Sequence, residues 1–557
     1  MTAAGSFSSL RRTPADAVRL FHTVRHLRPV QIVGRVTARL ERGRPEIAPA
    51  PPLRPRPGPS VRPPTRAPSL LGRWRVRFLN QDGEIAHPAQ WNDPARPKLW
   101  LYNLHYFDDL SAAGAEGRRD LHGALIERWV AENPPGTGNG WEPYPVSLRA
   151  VNWIKWALGG ATLAPRWADS LAVQIRWLAR RVEWHLLGNH VLANAKALVF
   201  AGLFFAGEEA ERWLAQGLSI YERQLPEQIL ADGGHFELSP MYHAIILEDL
   251  LDLVNLARST GHADGRVFAG LPEIIGRMRV WLAVMTHPDG GPSFFNDAAF
   301  GIAPSRADLD RYADRLGLPA IAEPGDGVHH LASSGYVRVN DQDMAAILDV
   351  APIGPDYIPG HAHADTLSFE LSLGTERIIV NGGTSTYAPG PLREAQRATA
   401  AHSTVEVEGE NSSEVWASFR VARRARIREL GIDRSPDGVR VSASHDGYRR
   451  LVGAPVCRRT WTFRNRALAV SDEVSRTRAT AAVARFFLGP GVTITTGQDR
   501  SSGTIASERG RRLGWALDAQ GRIEAATWYP TFGTARPITF LAAPLVAGRL
   551  TATFDWP

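Results

Sequence analysis

The hydrophobic period of this chain changes once along its length, and that change bounds the folds open to it. From about Leu99 to Leu318 apolar residues recur at three- and four-residue spacing; from about Gly327 to Pro557 they alternate with polar ones. The first pattern predicts helices over Leu148–Leu158, Trp167–Leu187, Val191–Phe205, Ala210–Leu225 and Tyr242–Ser259, with breaks at Pro226, Asp232-Gly233-Gly234 and Asp289-Gly290-Gly291. The second predicts short strands, among them Gly335–Val339, Met344–Val350, Thr366–Leu373, Arg377–Val380, Thr404–Glu408, Arg459–Phe463 and Ala481–Leu488. Helices first and strands second predict an α+β multidomain chain, a helical toroid or bundle followed by an antiparallel β-sandwich. The 557 residues exceed what one ordinary core organises.

The expected division is a basic helical arm over residues 1–44, a Pro-rich linker over 45–70, a short connecting β segment over 71–98, a helical domain over 99–325 and a sandwich over 326–557. Helical spacing over 14–42 is broken at Pro29, and the prolines of 45–68 predict an extended tether rather than a packed element. Residues 1–70 hold thirteen arginines, no lysine and three acids, Asp16, Glu41 and Glu46. The net charge of +7 therefore belongs to the arm, and the body is slightly acidic. Such an arm suits a membrane surface or a polyanion, and composition does not choose between them. The single cysteine, Cys457, excludes an internal disulfide framework and a Cys-based zinc cluster. The first twenty residues carry arginines and no apolar core of a signal peptide, so a cytoplasmic or membrane-peripheral location is expected over a periplasmic one.

The densest chemistry lies in Gly360-His361-Ala362-His363-Ala364-Asp365-Thr366-Leu367-Ser368-Phe369. In a strand, His361, His363 and Asp365 would share one face, which suits a metal or a proton-transfer site. Gly188-Asn189-His190 and Ser239-Pro240-Met241-Tyr242 offer a matching set in helical territory. Each has a plainer reading: Asn189 as a helix N-cap, His190 as a buried core histidine, Tyr242 as amphipathic filler. Tyr144, Arg149, Asn152 and Trp153 combine aromatics with polar groups that grip sugars, or form a core stripe. His235 and Glu237, in Gly233-Gly234-His235-Phe236-Glu237, are candidate substrate contacts or solvated loop residues, and Arg393 and Arg397 read the same two ways. His363, Asn381 and His402 are the available metal ligands, although an amide is a poor one for zinc. Without a metal they form a hydrogen-bonded network.

Together these segments, with Ala401-His402-Ser403-Thr404-Val405, resemble the heparinase II/III family of polysaccharide lyases over roughly residues 95 to 550. The resemblance implies an incomplete α/α toroid followed by a β-sandwich, with the cleft between them. It implies β-elimination on a uronate-containing acidic glycan. Asn189 and His361 would neutralise the uronate carboxylate, Tyr242 would act as base and then acid, and His190 would be the partner base. His363, Asn381 and His402 would occupy a structural metal position, for zinc or calcium, with no organic cofactor. Asn381 departs from the family's aspartate, and the basic arm suits a protein beside exopolysaccharide synthesis. The expected partner is an acidic polysaccharide and not a nucleic acid. A uronate C5-epimerase, or a non-catalytic glycan-binding or export-associated protein, would use nearly the same cleft.

Overall fold

The computed structural model describes residues 14–40, 43–55, 58–475 and 481–557. Two short helices open it, α1 (Pro14–Val24) and α2 (Pro29–Leu40). Pro29 starts α2, where its missing N–H costs nothing. The proline-rich run is extended, as expected, but it is not a free tether. Ala50 N–H donates to Asp169 Oδ1 at 2.7 Å, Arg54 N–H to the Phe204 carbonyl at 2.9 Å and Val61 N–H to Asn255 Oδ1 at 2.9 Å. These bonds fasten the run along the helical domain.

That domain comprises α3 (Lys98–Tyr106), α4 (Arg119–Glu132), α5 (Pro143–Leu158), α6 (Pro165–Ala179), α7 (Gly188–Phe204), α8 (Glu208–Gln228), α9 (Pro240–Thr260), α10 (Arg266–Val284) and α11 (Arg306–Arg315). α7 packs against α5, α6, α8 and α9, and every residue of it is buried except His190. Leu192, Leu198 and Leu203 are fully covered, each worth roughly 1.5–3 kcal/mol of transfer free energy. Packing therefore holds α7 in place, and it turns one polar side chain outward.

Two boundaries differ from expectation for local reasons. α6 stops at Ala179 rather than Leu187. Glu183 N–H is captured by the Asn194 side chain at 2.9 Å, and Leu187 has φ +66°, so the chain leaves the helix to bring Glu183 beside α7. α8 runs through Pro226, which falls in its last turn and removes few helical bonds.

The second half forms two antiparallel sheets. One has eight strands, in the order Ile427–Ser435, Gly438–His445, Cys457–Arg464, Ala467–Val474, Arg549–Asp555, Arg512–Leu517, Ser502–Ser507, Val492–Thr496. The other has nine, with Phe369–Leu373 between Met344–Asp349 and Glu376–Val380, and Ala482–Leu488 beyond. Alternate residues of both sheets, such as Phe369, Leu371 and Phe486 facing Trp461, Val470 and Phe554, enclose one apolar core. A second apolar cluster joins Met241 of α9 and Phe294 to Val380, Tyr387 and Phe540, so the helical and sheet domains share a packed seam.

The strand expected from Thr366 begins only at Phe369. Residues 360–368 are loop, Leu367 has φ +63°, and Leu367 N–H and Ser368 N–H bond to Asp349 O and Asp365 O. Strand alternation therefore does not place His361, His363 and Asp365. Asp365 instead accepts Asn296 N–H at 2.9 Å, and burial raises its pKa.

Candidate active site

Side chains from both domains meet at the seam. Tyr242 lies in the first turn of α9, whose N-cap Ser239 accepts Tyr242 N–H at 3.2 Å and itself donates to the Asp297 carbonyl. The Tyr242 ring stacks on His361 with centroids 3.8 Å apart, and its hydroxyl is 3.2 Å from that of Tyr387. Burial, with Tyr387 and Tyr144 beside it, holds the Tyr242 phenol well above its ordinary pKa. The hydroxyl therefore keeps its proton at neutral pH.

His361 is fixed through Nδ1, 2.9 Å from Asp297 Oδ2, while its Nε2 lies 3.6 Å from Glu237 Oε2. Asp297 is the hub. Its fully buried carboxylate also meets His363 Nε2 at 2.9 Å and Thr384 Oγ1 at 3.2 Å, and it accepts both terminal nitrogens of buried Arg393. Burial alone would raise its pKa; Arg393, His361 and His363 outweigh it and hold the carboxyl well below the usual range. An ionised Asp297 puts the His361 proton on Nδ1.

The opposing set comes from α7. Its first turn carries Asn189, whose N–H and amide nitrogen donate to Glu237 at 2.9 and 3.0 Å; Leu187 is the N-cap, so Asn189 is not. His190, the half-buried residue of α7, places Nδ1 3.2 Å from Glu183 Oε2, and its ring lies 4.5 Å from that of Tyr144. Burial raises the Glu183 pKa, but His190 and Asn194 bring it down to about 2. Glu183 is therefore an anion that accepts a hydrogen bond from Nδ1–H of His190 and orients the ring, with Nε2 on its other side.

Asn189, His190, Tyr242, His361, Tyr144 and Glu237 are thus brought together. The other expected substrate contacts are not. Arg149 is fully buried, donating to Gln174, the His105 carbonyl and the Gly140 carbonyl, with its guanidinium 3.8 Å over Trp129. Asn152 braces the Tyr106 carbonyl and Asp108, each at 2.8 Å. Trp153 is core, edge-on to Phe107 and Trp129. His235 is buried on Gln228, and burial pushes it down to about 4. Arg397 is buried and spends its donors on the Ala362, Ala417 and Arg420 carbonyls. Sequence reasoning did not single out Asp297, Glu183 or Tyr387.

The donors at the expected metal position do not complete a ligand set. His363 Nδ1 and His402 Nε2 are 3.3 Å apart, but His363 turns its other nitrogen to Asp297, on the far side of the ring. Asn381 Oδ1 accepts Ser403 N–H at 3.0 Å and its amide nitrogen donates to Ser368 Oγ at 3.3 Å, so the side chain is held in a hydrogen-bonded network and is a neutral, poor ligand for zinc. The nearby carboxylate of Glu370 is taken by Asn381 N–H, Phe294 N–H and His287. Among the described residues no group of three His, Cys, Asp or Glu is placed to hold an ion.

Comparison with known families covers both domains. Residues 161–312 match the Heparinase II/III N-terminus and residues 323–556 match Heparinase II/III-like, C-terminal. The chain belongs to the heparinase II/III family. Family membership covers both walls of the cleft, since α7 and α9 fall in the first match and His361, His363 and Arg393 in the second. Among curated proteins it is 27% identical over 391 residues to FtsZ-localized protein C of Caulobacter vibrioides, covering 67% of this chain and 64% of that one. It is also 27% identical over 248 residues to the heparin-sulfate lyase of Bacteroides stercoris, covering 40% and 36%. The chain thus spans less than two thirds of the length of these relatives. The crystal structure of heparinase III superposes with a TM-score of 0.67 at 18% identity, over 83% of this chain and 79% of that one, which shows a shared fold.

Proposed function

We propose that this heparinase II/III-family protein is a polysaccharide lyase that cleaves a uronate-containing acidic glycan by β-elimination. The observation that carries the reading is a histidine and a tyrosine brought to one seam, each oriented by a partner. His190 turns Nδ1 to the Glu183 carboxylate, which leaves Nε2 as the nitrogen turned away from that partner, and Tyr242 keeps its proton because burial and Tyr387 disfavour the phenolate. The heparin-sulfate lyases among the relatives lend the substrate class.

In this reading His190 Nε2 removes the proton at C5 of the uronate. The electron pair forms the C4–C5 double bond as the C4–O bond breaks, and the Tyr242 hydroxyl gives its proton to the departing oxygen. Negative charge grows on the uronate carboxylate as C5 is deprotonated, so a donor must stand there in advance. Asn189 holds its amide hydrogens against Glu237, which leaves His361, held by Asp297 through Nδ1, as the group placed to meet that charge, a role that in this reading requires Nε2 to carry a proton as well. Glu237 orients Asn189 and His361 rather than gripping a sugar ring. No step passes through a metal.

A second reading, glycan binding without cleavage, is favoured by the match to FtsZ-localized protein C, whose name states a location rather than a reaction. One experiment separates the two. The protein is incubated with heparan sulfate, hyaluronan, alginate and mixed bacterial exopolysaccharides while the ultraviolet absorbance of an unsaturated uronate is followed, with Tyr242→Phe alongside. A rise that Tyr242→Phe abolishes supports the lyase. No rise, with retained binding of one polymer, replaces it with the binding role. Deuterium uptake at C5 without cleavage would make the protein an epimerase.

A further inference from the structure

The helices of the arm are packed inside out. An amphipathic helix on a globular body normally buries its apolar stripe and shows its polar face to water. Here Phe21 is 60% exposed, Ile32 53%, Val33 59% and Leu40 72%, and Val18, Val24, Val30 and Val36 are exposed as well. On α1 the outward residues Val18, Phe21 and Val24 recur every three positions; on α2 Val33, Val36 and Leu40 recur at three and four. Each set forms one face.

The inward contacts are polar or small. Gln31, the buried residue of α2, donates to the Tyr357 carbonyl at 3.1 Å, and the Thr23 hydroxyl accepts from Trp416 Nε1 at 3.1 Å. Gly34 lies so close to the body that a Cβ there would stand 2.9 Å from His185 N. Arg28 pairs with Glu227 and sits 3.7 Å over the Tyr357 ring. The arm is therefore docked, and its apolar stripe is still presented to the outside.

We propose that α1 and α2 bind an anionic lipid bilayer, lying in the plane of its interface with the apolar stripe among the acyl chains. The charge pattern selects this occupant. Arg19 of α1, Arg25 in the turn just after it and Arg39 of α2 are exposed, and Asp16 is the only acid of the two helices. Aliphatic side chains flanked by arginines match acyl chains beneath anionic headgroups; a hydrated polyanion would leave the aliphatic stripe in water. Among the described residues no helix is long and apolar enough to cross a membrane, so the contact is in-plane. The proposal is independent of the chemistry in the cleft.

The test is co-sedimentation of the full chain with vesicles of phosphatidylcholine alone and of phosphatidylcholine with phosphatidylglycerol. Binding at least about tenfold stronger to the anionic vesicles, weakened by salt, is expected. The variant Phe21→Ser/Val33→Ser/Leu40→Ser should lose it with little change in melting temperature, because these side chains are mostly exposed to solvent. Arg19→Gln/Arg25→Gln/Arg39→Gln should lose the preference for anionic lipid. No sedimentation, or sedimentation that the apolar variant leaves intact, overturns the proposal. A dimer in solution that the apolar variant converts to a monomer would also overturn it and assign the face to a second copy.

Discussion

Arg393 Nη2 donates to Asp297 Oδ2 at 2.7 Å, and neither side chain has any exposed surface. Asp297 lies in the loop that follows the helical hairpin, Arg393 in a short helix (Pro391–Arg397) beyond the central strands. The pair joins the two domains and anchors His361 and His363 on the same carboxylate. Removing one partner leaves an uncompensated buried charge, which costs about 3–5 kcal/mol. Asp297→Asn is expected to lower the melting temperature sharply and to abolish turnover in whatever protein folds. Thermal unfolding with the residual absorbance assay checks both.

The proton carriers make a contrast. Tyr242→Phe keeps the stack on His361 and removes only the hydroxyl, so kcat should fall by about 10²–10⁴ with little change in melting temperature. Glu183→Gln should lower kcat more than it raises KM, because the uncharged amide can still accept from Nδ1 but no longer stabilises the positive charge that His190 gains on taking the C5 proton. Steady-state kinetics on the polymer that the panel identifies would check this.

At the position of His363, Asn381 and His402, the purified protein is expected to carry well under one equivalent of zinc by elemental analysis. Asn381→Asp replaces the donor nitrogen by a carboxylate oxygen and should gain zinc binding, with zinc then raising the melting temperature. A full equivalent in the unaltered protein would refute the two-histidine arrangement.

Acid stability follows from histidines buried without charge. Burial pushes His105 and His243 down to about 3 and His235 and His445 to about 4, against an ordinary value of 6.5. The unfolded chain takes up these protons as pH falls below 6.5 and the folded one does not. Stability is therefore full above 6.5 and declines through the window down to about 4, each group costing roughly 1 kcal/mol per pH unit. Denaturant midpoints measured at pH 7.5, 6, 5 and 4.5 should fall steadily.

Periodicity was enough to find the arm helices, most of the helical domain and the strands, because each follows a local pattern. Asn189, His190, Tyr242 and His361 became candidates through the short Gly- and Pro-marked motifs that carry the family resemblance, not through spacing. Asp297 was not legible: its partners His361 and Arg393 lie 64 and 96 positions away, and no spacing encodes a convergence across domains. Arg149 and Trp153 erred the other way. Helical spacing of aromatic and cationic residues is the same whether the face lines a cleft or, as here, stacks inside the domain.

The arm touches both halves of the molecule, Gly34 reaching His185 on one side and Gln31 and Thr23 reaching Tyr357 and Trp416 on the other. It works as a splint across the seam between them. Any rotation that widens the cleft to admit a bulky polymer must strain or lift this splint, so the mechanics of opening and the state of the arm form one degree of freedom.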